Sequence, residues 1–198
     1  MHALRRGRRQ LVLFEDVDVS IIVERAPVQN GRRPTTLPMP YVIRRSNAKS
    51  LHEIHHEIRT AQRASLTAGA VEIGADRPAW LTALFNRSPR FLRYLLVWRR
   101  LNNPFFVKQN LGTVAVTSVV GSSPYSSSGW AIPIGIHPLI VALGSVARKP
   151  GIVGSEIVAR EYLCMTLLFD HDVTDGAPVA RFVQRLVQLL EQGYGIEL

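Results

Sequence analysis

One cysteine, three lysines and 15 acidic residues stand in a chain of 198 residues. Cys164, being alone, can form neither an intramolecular disulfide nor a cysteine-based metal cluster, and its apolar surroundings fit a buried, inert thiol. Because Lys49, Lys108 and Lys149 are the only lysines, the 24 basic residues are almost all arginine, and the formal net charge is +9. That balance suits anionic partners, either nucleic acid or the phosphates of a nucleotide-like cofactor, and equally follows from an arginine-biased composition. Long hydrophobic runs are scarce as well. Residues 11–14 are too few for the core of a signal peptide. The longest apolar region, 130–147, is broken by Pro133, Gly135, Pro138 and Gly144, which excludes a helical membrane span there. Walker-type phosphate loops, dinucleotide fingerprints and internal repeats are all absent. These absences lead to the expectation of a soluble, cytoplasmic protein.

What is present fits one domain. Apolar residues make up 46% and charged residues 20% of the chain, enough to bury a single core at this length. Residues 10–24 suggest two short strands around Glu15 and Asp16. The four prolines of 26–40 suggest a loop before a strand at 41–44. Ser50 and Glu53 form a capping box ahead of a helix to about Arg63, with Leu51, Ile54, Ile58 and Ala61 on one face. A linker is expected over 69–78, then two basic amphipathic helices near 79–86 and 89–101, anchored by Trp80, Leu84, Phe91, Leu95 and Trp98. Strands are expected over 112–120, 139–146 and 157–169, with a loop at 121–129. A last helix begins near Gly176, tolerates Pro178 in its first turn, buries Ala180, Val183, Leu186, Val187 and Leu190, and stops at Gly193. Strands and helices without regular alternation favour an α+β sandwich over a doubly wound sheet.

The segment with chemistry in it is Phe169-Asp170-His171-Asp172-Val173-Thr174-Asp175-Gly176. Leu163, Met165, Leu167 and Phe169 fall on one side of the last strand, so His171 continues an apolar face. Partial desolvation there would favour the neutral, proton-accepting imidazole. Asp175 is placed to cap the helix or brace the turn. The plain alternative is a structural histidine beside a helix cap.

The surrounding residues give this short motif a context. The stretch 169–190, with Gly176-Ala177 and Arg181-Phe182, resembles the C-terminal signature of the dihydrolipoyl acyltransferases of 2-oxo acid dehydrogenase complexes. Gly112-Thr113-Val114-Ala115-Val116-Thr117-Ser118 resembles their strand G-T-F-T-I-[ST]-N. Leu143-Gly144 followed by Arg148-Lys149-Pro150, and Val42-Ile43-Arg44 through Lys49-Ser50-Leu51 to Glu57-Ile58, resemble two further blocks in the same order. The resemblance covers about 15–65 and 110–193.

It implies a two-layer α/β sandwich with a mixed sheet, the chloramphenicol acetyltransferase-like fold, as a homotrimer with active sites between subunits. It also implies acyl transfer between coenzyme A and a thiol acceptor such as dihydrolipoamide, with a lipoyl group carried on another chain. His171 would be the general base and Thr117 the hydroxyl that hydrogen-bonds the tetrahedral oxyanion, with Ser118 competing by one position. Asp175 would be a structural brace. Residues 1–198 read as a single catalytic domain shortened at its N-terminus, without a lipoyl domain. Asp172 stands where the family commonly has arginine, and 66–108 is longer than the family's link. A catalytically weak or inactive relative serving as an oligomeric interaction module is the second reading.

Two other constellations compete. His52-Glu53-Ile54-His55-His56 matches the H-E-x-x-H pattern of zinc hydrolases, but Gln62 stands where a third ligand would be, so no metal is expected. Arg87, Arg90, Arg93, Arg99 and Arg100, beside Phe91, Tyr94 and Trp98, could face nucleic acid or an acidic membrane. The simpler expectation is a solvated arginine face over buried aromatics, with neither nucleic acid nor membrane as a partner.

Overall fold

The computed structural model describes residues 2–7, 9–25, 37–64, 85, 87–118 and 130–196. In chain order these form β1 (Leu4–Arg6), β2 (Gln10–Val12), β3 (Val19–Arg25), β4 (Leu37–Ile43), a 3-10 turn at Ser46–Ala48, α1 (Leu51–Arg63), α2 (Arg90–Leu101), α3 (Pro104–Leu111), β5 (Val114–Ser118), β6 (Leu139–Val153), β7 (Glu156–Phe169) and α4 (Gly176–Glu191). β1 and β2 make a small antiparallel pair, and the other five strands form one sheet in the order β4-β3-β5-β6-β7. β5 runs parallel to both β3 and β6, while β4 and β7 are antiparallel to their neighbours. The sheet is therefore mixed, as the α+β expectation requires.

α1 packs on β3 and β4, where the Tyr41 hydroxyl donates to Glu57 at 3.0 Å. The capping box at its start forms as the sequence predicts, with Glu53 N–H donating to Ser50 Oγ and Ser50 N–H donating to the Glu53 carboxylate. α4 covers the other half of the same sheet: Phe169 of β7 meets Phe182 of α4 edge to face, centroids 5.8 Å apart. Gly195, just after α4, lies against Leu51 of α1, so the two helices form one layer. A mostly apolar gap of about 470 Å³ remains between sheet and α4, lined by Val114, Val116, Val141, Leu143, Met165 and Leu186 among others.

Several boundaries depart from the sequence reading. β4 begins at Leu37 and runs through Pro38 and Pro40; it is an edge strand, where a missing N–H can face outward at no cost. α3 is an unforeseen helix, started by Asn103, whose side chain accepts from Phe105 N–H, with Pro104 at its first position. β6 extends to Val153, past a bulge between Leu143 and Val146. Residues 69–78, 79–84 and 121–129, for which a linker, part of a helix and a loop were expected, lie outside the described residues.

The aromatics of α2 overturn the expectation of a buried stripe: Phe91 is 74% and Trp98 56% exposed. Among the described residues, only α3 packs closely on α2, and one short helix cannot cover a whole face. α4 is also shallower than expected. Val183 and Leu186 are half-buried, whereas Ala180, Val187 and Leu190 are exposed.

The Gly112-Thr113 pair holds the start of β5 to β3. Thr113 is fully buried, its hydroxyl accepting from Asp18 N–H at 3.0 Å and lying 3.2 Å from the Asp18 carbonyl. The Asp18 carboxylate, also buried, accepts from the Arg44 guanidinium and from Arg45 N–H, each at 2.9 Å. Arg44 in turn donates to the carbonyls of Lys108 and Gln109 at the end of α3, where a cation complements the helix dipole.

Candidate active site

β7 ends at Phe169, and the chain leaves the sheet through a turn built by Asp170. Asp170 N–H donates to the Pro138 carbonyl at 2.9 Å, one last rung beside β6. Its Oδ1 then accepts from Asp172 N–H at 3.0 Å, and its carbonyl accepts from Val173 and Thr174 N–H. This is an Asx-type turn followed by a helical turn. It ends the two-residue alternation of the strand, so His171 does not continue the face of Leu163, Met165 and Phe169.

His171 is exposed, which corrects the expectation of partial desolvation. Among the described residues it has no hydrogen-bond partner. Asp175 occupies the N-cap position of α4, but its side chain makes no capping bond and is exposed. Asp170, which sequence reasoning passed over, does the bracing expected of Asp175. The Asx position two residues before Asp172 was the available signal. Asp172 is ion-paired with Arg5 of β1, so the charge reversal after the histidine is met by an arginine from the start of the chain.

Thr117 lies on β5, level with Ala142 and, across β6, with Thr166. Val114 and Val116 face α4, so Thr117 faces the opposite side of the sheet by alternation and is half-buried. Ser118, its rival, shares the α4 side and is exposed. From the level of Thr166 the chain runs three residues to Phe169 and then into the turn. With two strand spacings across and three residues along, Thr117 and the end of β7 are separated by roughly 14 Å. One chain therefore does not bring His171 and Thr117 together.

A second histidine stands nearby. His137, half-buried just before β6, has its Nε2 2.8 Å from the Leu111 carbonyl. Burial pushes its pKa below the ordinary histidine value, and the bond to Leu111 opposes that only in part. A neutral ring with Nε2–H donating fits this setting. Nothing in the sequence pattern distinguished it.

On α1, the Glu53 carboxylate is turned back onto Ser50 and cannot serve a metal-bound water held by His52 and His56. Among the described residues no three His, Cys, Asp or Glu side chains converge to hold a metal ion, and no helix is long and apolar enough to cross a membrane.

Residues 125–196 match the family described as 2-oxoacid dehydrogenases acyltransferase (catalytic domain). The dihydrolipoyllysine-residue acetyltransferase component of the pyruvate dehydrogenase complex from Acholeplasma laidlawii is 34% identical over 87 residues, 42% of this chain and 15% of that protein. The chain thus spans less than a sixth of that relative. The dihydrolipoamide acetyltransferase of Azotobacter vinelandii, studied for the catalytic roles of a serine, a histidine and an asparagine, superposes with a TM-score of 0.54 at 19% identity, over 95% of this chain and 59% of that one. The cubic core of the pyruvate dehydrogenase multienzyme complex gives 0.56 at 20% identity, over the same shares. In fold throughout, and in sequence over its C-terminal part, the chain resembles the catalytic domain of the 2-oxo acid dehydrogenase acyltransferases.

Proposed function

We propose that the chain catalyses acyl transfer between coenzyme A and a thiol acceptor such as a dihydrolipoyl group carried on a partner protein. The observation that carries this reading is His171: a solvent-accessible imidazole, free of internal partners among the described residues, on a braced turn inside the family-matching segment. A ring nitrogen of His171 takes the proton of the attacking thiol. The thiolate adds to the thioester carbonyl, and the tetrahedral intermediate collapses by expelling the other thiolate, which recovers the proton from the imidazolium. The hydroxyl of Thr117 donates to the oxyanion, a contribution on the order of 3 kcal/mol. The Asp170 carboxylate, accepting from Asp172 N–H, keeps the turn at the head of α4 in place.

Since His171 and Thr117 are far apart within one chain, the site takes its histidine from one copy and its hydroxyl from another, in a homotrimer. Support for association comes from the β6–β7 hairpin beyond the bulge, where Ile152 is 75% and Ile157 77% exposed, apolar surface of the kind that oligomers cover. Thiol release from acetyl-CoA with dihydrolipoamide tests the reading, with His171→Ala lowering the rate at least roughly 100-fold. Equal rates for both proteins would leave the inactive interaction module as the reading.

A further inference from the structure

Beside the His171 turn lies a cleft of about 1370 Å³, walled by β1, the end of α2, α3 and the turn before α4. Arg5, Arg6, Arg99 and Arg100 line it against one carboxylate, Asp170, which is engaged in its own turn. Arg5 is paired with Asp172. Arg6, Arg99 and Arg100 have no carboxylate within ion-pair distance among the described residues. The Arg100 guanidinium instead lies over the Phe106 ring, 5.4 Å from its centroid, and Trp98 and Phe105 also line the cleft.

Uncompensated guanidinium groups on a concave wall focus positive potential into it. Their planar forks match phosphate oxygens, and aromatic walls accept a flat ring. We infer that this cleft is a binding site for a nucleotide oligophosphate, with its phosphates on Arg6, Arg99 and Arg100 and its base against Trp98. Two of these three arginines, Arg99 and Arg100, stand at the end of α2. Asp170 and Val173, on either side of His171 in the chain, are among the lining residues, so a ligand anchored here can extend its far end toward the imidazole. The inference rests on the acyl-transfer reading only for the source of the nucleotide: the phosphate-bearing end of coenzyme A rather than a free nucleotide.

Isothermal titration of the full chain with ADP and with coenzyme A, alongside rates with acetyl-CoA and S-acetylpantetheine, tests it. Changing Arg99→Gln and Arg100→Gln together is expected to weaken both ligands at least roughly tenfold and to erode the preference for acetyl-CoA over the phosphate-free donor by a similar factor. Arg6→Gln alone, more distant from α2, is expected to weaken them several-fold and guards against misfolding of the double variant. Affinities within about twofold of wild type in variants with native circular dichroism would overturn the site, whatever the acyltransferase rate. Arginine-dependent binding of ADP without acyl transfer would keep the site and discard the acyl-transfer reading.

Discussion

Arg5 on the first strand and Asp172, the residue after His171, form an ion pair that ties the beginning of the chain to the turn carrying the candidate base. Both side chains are partly open to solvent, at 37% and 65%. Such pairs are worth about 0–1 kcal/mol. A double-mutant cycle of Arg5→Ala and Asp172→Ala in urea should give a coupling within that range, shrinking as salt is raised to about 1 M. A salt-independent coupling of several kcal/mol would mean that the hairpin and the turn are joined by something else.

Gly112 has φ +82° and lies so close to β3 that a β-carbon there would stand 2.7 Å from the Asp18 carbonyl oxygen. Gly112→Ala should therefore cost about 2 kcal/mol or more, from backbone strain and a clash with main chain. Thr113→Val keeps the shape but leaves Asp18 N–H without its buried acceptor, at about 1–3 kcal/mol. Urea midpoints with unchanged slopes check both.

His137 gives the fold a pH dependence whose sign is fixed. Its folded pKa lies below 6.5, the ordinary value, so between the two values the unfolded chain binds more protons than the folded one. Its contribution is complete above about pH 6.5 and is lost as the pH falls toward the folded value. The melting temperature should drop between pH 7.5 and 5.5, and less so in His137→Gln, which retains a donor for Leu111. An equal drop in both proteins would assign the effect to other groups.

Sequence carried the framework well wherever chemistry is local. The Ser50–Glu53 box and the start of α4 at Gly176 with Pro178 behind it form as read, and the strand expected from Gly112 begins two residues later, at Val114. It failed where tertiary position decides. Prolines 38 and 40 read as loop because nothing local says that β4 is an edge strand. Phe91 and Trp98 read as buried because helical periodicity identifies a face and not what covers it. The site shows the same divide. The motif singles out His171 as a candidate, but its exposure depends on the Asp170 turn ending the strand pattern. The gap between His171 and Thr117 follows from a strand order, β5-β6-β7, in which β6 lies between the two.

That gap makes one measurement the most direct test of a site shared between copies. His171→Ala and Thr117→Val proteins, each with little activity alone, are unfolded together, refolded as mixed oligomers and assayed for acyl transfer. If each site joins one copy's histidine to another's hydroxyl, random mixing restores both groups at roughly a quarter of the interfaces, and activity returns to about that fraction of wild type. Mixed oligomers, verified by mass, that remain as inactive as either parent would contradict the shared site.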